Sequence, residues 1–348
     1  MTSSEQHSPV GPGALAGYLA AMEGEGAPLL GHLVLYSIFE GQVTPDGIER
    51  WFAELGLDPA FLPGVIRPVD VFEKITGPSG VRRVYPIGPT VTRQQRREGV
   101  KGREATLMVR HVSRDGGQIV RHLVREVRDE EATRLSYDTR LAECVFRRDS
   151  DGKTAHGAGS MQVTPDRAAI AALPGPEQVQ VDEMLGELRD AFGKGRQFLT
   201  ADRLRGVIRS YVESLYAIRV RPTGGVYFVG RQHAGTLAKL RELARRFGTG
   251  SNLTRIPLPD QDEMREMVIA AFVTRSNDEL QKLAQDIAAA RQAEASTATI
   301  QALHNRFRGL QAAATEHEHL LGGSIDDTRA TMQLVSAQLT SLLLAQAS

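Results

Sequence analysis

The chain has 348 residues, enough to bury a sizeable core and to form two or three domains. Its 41% hydrophobic and 24% charged content is that of a soluble globular protein, and a formal net charge of zero excludes a global pull toward nucleic acid or an anionic membrane. A single cysteine, Cys144, excludes an internal disulfide.

The cations are lopsided, with 36 Arg and 6 Lys. Guanidinium forks suit phosphates. Heavy Arg and Ala usage also follows from GC-rich coding, and that plain cause carries more weight.

At the N-terminus, "MTSSEQHSPVGPG" lacks a positively charged segment ahead of an apolar core, so residues 1–11 are expected to be a disordered tail and not a signal peptide. Together with the lone cysteine this predicts a cytoplasmic protein. Residues 12–75 read as mostly helical. The apolar window "APLLGHLVLYSIFEG" is too short to span a bilayer and reads as a buried helix, or a helix running into a strand. No membrane partner is expected. Thr44-Pro45-Asp46 supplies an N-cap and a first-turn proline for a helix whose Ile48, Trp51, Phe52 and Leu55 recur at helical spacing.

From 80 to 148 the period changes to two. "VRRVYPI", "ATLMVRHV", "QIVRHLVREV" and "RLSYDTRLAECVFRR" predict an antiparallel meander of four strands, and sequential strands on short loops argue against a parallel nucleotide-binding sheet. The whole of 12–148 is then one α+β domain. Residues 149–162, rich in Gly, Ser and Asp, read as a linker or long loop.

Residues 163–258 read as a winged-helix-like domain. Thr164-Pro165 is expected to open a short helix. Pro176 opens a second, with Val181, Met184, Leu185, Leu188 and Phe192 inward and Gly193 as its stop. A third follows Thr200, and its Leu204, Val207, Ile208, Tyr211, Val212 and Leu215 form one clean stripe. Next comes "IRVRPTGGVYFVG" (218–230), two alternating runs about a glycine turn, which predicts a β-hairpin. Its Tyr227 and Phe228 point to opposite faces, a pattern that reads more as core plus rim than as a stacking platform, with Tyr227 the one available to a partner or a base. A helix with Leu237, Leu240, Leu243 and Phe247 inward and an extended "LTRIPLPD" end the domain.

Residues 259–348 read as a C-terminal helical bundle. Leu280, Leu283, Ile287, Ala290, then Ile300, Leu303, Phe307, Leu310, then Met332, Val335, Leu339, Leu342 keep 3-4-3 spacing. Each run is about two heptads, too short for a long coiled coil, so a compact antiparallel bundle or one completed by a partner is expected. The terminal "SLLLAQAS" reads as docked on something. The fold class is therefore α+β.

Zero net charge conceals blocks of both signs. Residues 194–248 carry 12 basic against 3 acidic residues and 81–125 carry 11 against 3, whereas 126–192 and 259–348 are acidic. The first functional reading is a non-catalytic nucleic-acid-associated protein that self-associates through 259–348. In it Arg203, Arg205, Arg209, Arg219 and Arg221 contact phosphates, and Arg96, Arg97, Lys101 and Arg103 add backbone contacts from the loop "RQQRREGVKGR". The second is an assembly or scaffold protein with no nucleic-acid role, in which basic faces meet acidic ones on a partner or a sister copy. The third is an enzyme of unrecognised type, with His111 and His122 facing one another across the meander.

Chemistry-bearing motifs are not found. "GPGALAG", "FGKGRQFLT" and "GVKGREAT" miss the spacings of phosphate-binding loops, and no nucleophile-elbow, zinc-helix or paired-cysteine signature occurs. Glu316-His317-Glu318-His319 with His304 lacks metal-ligand geometry and reads as a solvated charged stretch. Cys144 reads as a small core residue. No cofactor, metal or catalytic residue is assigned.

Overall fold

The computed structural model describes residues 29–88, 103–128, 135–149, 158–221, 225–293, 295–317 and 326–347. The architecture is mixed α+β, with antiparallel sheets and C-terminal helices. Contacts gather the described residues into two units, one drawn from within 42–48 and 64–200, the other from within 29–41, 49–63 and 201–347. The five successive segments expected from the sequence follow chain order, whereas these units interleave.

The first unit is built on β2 (Arg83–Ile87), β3 (Arg103–Arg114), β4 (Gln118–Arg128), β5 (Leu135–Arg148) and β6 (Gly159–Pro165). These pair antiparallel in chain order, so the meander has five strands and not the expected four. The β3–β4 turn is locked by Asp115, whose Oδ1 accepts from the backbone N–H of Gly117 and of Gln118, each at 2.7 Å. Those two donors hold its carboxyl below the usual range.

One sheet face carries Tyr85, Leu107, Ile119, Leu123, Cys144 and Phe146, all buried. It packs on α4 (Gly175–Gln197), whose Val181, Met184, Leu185, Leu188 and Phe192 form the predicted stripe, and on α2 (Pro68–Ile75) through Val69 and Phe72. The Phe146 ring lies 5.5 Å from Phe72 and 6.3 Å from Phe192. Burial of this density makes each large side chain worth roughly 2–5 kcal/mol on truncation to Ala.

Three local expectations fail here. Thr164 and Pro165 end β6 instead of opening a helix. The helix that follows, α3 (Arg167–Ala171), is opened by Asp166, whose side chain accepts from the Ala169 N–H. Cross-strand pairing of Phe146 with Met161 and Cys144 with Val163 makes part of the expected linker a strand. Gly193 does not stop α4, which continues to Gln197 and closes with the Phe198 N–H on the Lys194 carbonyl.

In the second unit β1 (Leu29–Ser37), β7 (Ile218–Arg219), β8 (Tyr227–Gly230) and β9 (Asn252–Pro259) form an antiparallel sheet in the order β7-β8-β1-β9. The window before Thr44, read as a buried helix or a helix running into a strand, thus holds the strand Leu29–Ser37. Its apolar residues fall on both faces, which suits a central strand covered on each side and lacks a helical stripe. Gly31 is required there: a Cβ would land on the Val229 carbonyl and within 2.7 Å of the Phe228 ring. The helix after Thr44 forms as expected, as α1 (Pro45–Leu55), with Thr44 Oγ1 accepting from the Gly47 N–H at 3.1 Å.

The hairpin expected at 218–230 forms, but β8 also pairs with β1 from Gly31 to Val34, so it belongs to a larger sheet and does not project alone. One face of that sheet, with Leu30, Ile218, Phe228 and Leu258, packs on Val268 and Phe272 of α7 (Asp262–Gln292). The other meets α5 (Ala201–Ser214), whose predicted stripe is buried throughout. It also meets α6 (Ala234–Arg246), where Arg255 of β9 donates to the Ala234 carbonyl at 3.1 Å.

The far half of α7 leaves the sheet and joins α8 (Thr297–Glu316) and α9 (Asp326–Ala347) in a three-helix bundle. Ser296 caps α8 by accepting from the Thr299 N–H. The three predicted runs supply the core, with Leu310 at its margin. Arg306 of α8 bonds both Glu279 and Asp286 of α7 at 2.7 Å. Thr328 and Ser341 of α9 bond Asn277 and Arg291, which sets α9 running in the same direction as α7.

Candidate functional site

The amphipathic pattern of α5 places its polar residues away from the sheet, and β7 follows within four residues of the helix end. Arg203, Arg205 and Arg209 therefore lie on α5, Arg219 on β7 and Arg221 two residues past it, all in one unit. Arg205, Arg209 and Arg221 are exposed, and Arg203 and Arg219 are half-buried. Arg103, exposed at the start of β3, belongs to the other unit, and Arg96, Arg97 and Lys101 lie outside the described residues.

Several of these guanidinium groups are engaged within the chain. Arg205 pairs with Asp202 one turn back and donates to the Ile38 carbonyl at 3.2 Å. Arg219 donates to the Tyr227 hydroxyl at 3.1 Å and lies 3.4 Å from Glu213. Its guanidinium also sits 5.4 Å from the centre of the Tyr227 ring, the cross-strand neighbour that the β7–β8 register assigns to it. The hydrogen bond it donates to Tyr227 raises its pKa further. On α6, Arg246 bonds Glu54 at 2.6 Å and Glu242 at 3.3 Å.

Tyr227 is 1% exposed, so it is not available to a partner or a base as its strand position suggested. Helices cover both faces of the sheet, which the pattern of two flanking strands could not reveal. The ring stacks on Tyr36, centroids 6.3 Å apart at 15°. Burial, helped by Tyr227, pushes the Tyr36 phenol up to about 12.

The remaining candidates separate. Arg110 is opposite His122 and His111 is opposite Arg121 in the register, so the two histidines point to opposite faces and form no pair. His122 lies instead 3.8 Å from Glu143. His317 is not solvated: it is 1% exposed, its Nε2–H donates to the Tyr216 carbonyl at 2.8 Å, and its ring lies 5.9 Å from Phe228. The neighbouring Glu316 faces the other way, onto Gln232 and His233. Cys144 is fully buried, and desolvation lifts its thiol to about 11, which leaves no thiolate at neutral pH.

A feature that the sequence marked only as an apolar terminal run, without its face, lies on the bundle. Leu334 and Leu344 of α9 are 60% and 65% exposed, and Leu343 is 39% exposed. A groove of about 810 Å³ opens between α8 and α9, lined by Gln311, Ala314, Met332, Ser336, Ala337 and Leu344 among others. A second groove of about 300 Å³, on the α7 side, includes Leu334. The signal is present as the apolar end "SLLLAQAS", but the inward stripe that runs through it conceals the outward one.

Among the described residues no helix is long and apolar enough to cross a membrane. No curated protein and no solved structure matches the chain. A family description does match, over residues 29–348, and these residues include every strand and helix described above. The chain belongs to that family, DUF6744, a family of unknown function.

Proposed function

We propose that this protein is a non-catalytic assembly module that associates through its C-terminal helices. The observation that carries the reading is the outer side of the bundle, where leucines stand in solvent beside an open groove while the inner stripes already form a complete core. The in-chain pairing of Arg205, Arg219 and Arg246 supports it from the other side, since guanidinium groups already bonded to carboxylates neutralise fewer phosphates. A buried lone cysteine suits a reducing compartment and supports a cytoplasmic setting.

Light scattering of the full chain over a range of concentrations tests the proposal. A mass above that of one chain, rising with concentration, is expected. A single-chain mass at every concentration overturns it.

A second reading, nucleic-acid binding, draws support from the exposure of Arg209 and Arg221. Its test is a salt titration of duplex binding. Affinity that falls steeply with salt favours it, and absence of binding at low salt removes it.

A further inference from the structure

Resting on the assembly reading, we infer that α9 is a self-docking helix that pairs antiparallel with α9 of a second copy. The inner stripe of α9 is Met332, Val335, Leu339 and Leu342. A second stripe, Ala330, Leu334, Ala337, Ser341 and Leu344, keeps 4-3-4-3 spacing. At about 100° per residue it faces away from the inner one. All five residues are exposed. A surface helix ordinarily places charge on that side, yet from Ala330 to Ser348 no residue is charged. Cations stand only at its margins: Arg329 precedes Ala330 and lines the groove beside α8, and Arg291 of α7 donates from a terminal nitrogen to the Ser341 hydroxyl at 3.0 Å.

Charge selects the occupant. A segment with no charge has nothing to steer a charged partner, whereas two copies of it meet without like-charge repulsion. The side-chain order selects the direction. From Leu334 to Leu344 the stripe reads large, small, small, large at intervals of 3-4-3, and it reads the same in reverse. Two such helices crossing antiparallel beside Leu339 place Leu334 against the partner's Leu344, with Ala337 against the partner's Ser341. The small central pair permits close approach, and the leucines close each end. An isologous twofold contact requires this kind of self-complementarity. The grooves on either side of α9 then receive the edges of the partner helix.

A charge-swap experiment on the full-length chain tests this. Leu334→Glu and Leu344→Lys are made separately, with Gln301→Glu on α8 as a charge control, and far-ultraviolet circular dichroism verifies each fold. Light scattering and sedimentation are expected to show that each α9 variant weakens self-association by about tenfold or more, with the control unchanged. Mixing the two α9 variants restores the dimer, because the introduced carboxylate of one copy meets the introduced ammonium of the other.

If wild type self-associates and both α9 variants do so equally, this pairing is wrong while assembly stands. If the rescue arises instead from mixing Leu334→Glu with Leu334→Lys, the helices run parallel and the antiparallel assignment falls. A wild-type chain that is monomeric throughout removes both readings, as does one that stays monomeric and floats with phosphatidylcholine vesicles.

Discussion

Arg125 grips Glu177 as a fork, its Nε donating to one carboxylate oxygen at 2.8 Å and its terminal nitrogen to the other at 3.1 Å. The Tyr85 hydroxyl donates to the same carboxylate at 2.8 Å, and this joins β2 and β4 to the first turn of α4 inside an otherwise apolar core. Both partners of the ion pair are largely buried, at 14% and 10% side-chain exposure. Arg125→Ala leaves Glu177 charged in that core and is expected to cost about 3–5 kcal/mol. Replacing both residues by Met and Leu restores most of the loss. Urea midpoints of the single and double variants check this, and equal losses in the two would refute it.

Tyr85 and Tyr36 give an alkaline signature. Burial raises both phenols to about 12, and the bond to Glu177 adds to the effect at Tyr85. Each stabilises the fold while neutral. Their contribution is therefore complete below the ordinary value of 10.0 and is lost as the pH climbs from there toward about 12. Ultraviolet absorbance of the phenolates should show a late-titrating fraction, and Tyr85→Phe should reduce it by one tyrosine. All tyrosines ionising together near 10 would contradict the assignment.

Arg219 is expected to act on stability and not on ligand binding. Arg219→Ala removes the donor to the buried Tyr227 hydroxyl and the contact with its ring, at about 1 kcal/mol. Glu213 adds little to that figure, since both members of the pair are more than a third exposed, at 38% and 37%. A lower thermal midpoint is the expected result. Unchanged stability together with weaker duplex binding would return Arg219 to the nucleic-acid reading.

Tyr216 sits one residue beyond the end of the α5 stripe with φ of 56°, a left-handed conformation at the position where helices usually place glycine. Tyr216→Gly relieves that geometry and is expected to stabilise the protein by about 1 kcal/mol. The His317 bond is made to the backbone carbonyl and survives the change. Chemical denaturation measures the gain, and a loss of stability would mean that the ring contributes more than the backbone strain costs.

The helices with one clean stripe were legible in the sequence. Leu204 through Leu215, Val181 through Phe192 and the three runs of the bundle all turn inward as their spacing requires. Strands whose apolar residues fall on both faces were harder. Leu29–Ser37 is apolar on each side because helices cover its sheet from both directions, and a period of two disappears when neither face is wet. The arginines of the candidate strip were found by counting charge, but their partners were not. Asp202 is a local neighbour of Arg205, while Tyr227 meets Arg219 only through strand register and Glu54 meets Arg246 across 192 positions. The apolar end of α9 was read as docked, but its outer stripe was not told apart from the inner one, because the two overlap on one short helix and the inner one, richer in large residues, dominates.

The place of β1 in its sheet has a consequence for synthesis on the ribosome. His32 pairs with Val229 on one side and Pro257 on the other, so the first strand finds neither neighbour until the chain has grown past both. The meander between them closes its own ladders from adjacent strands and completes first. The nascent chain therefore carries an apolar, two-edged β1 through most of translation, the period in which it is most exposed to mispairing with other chains.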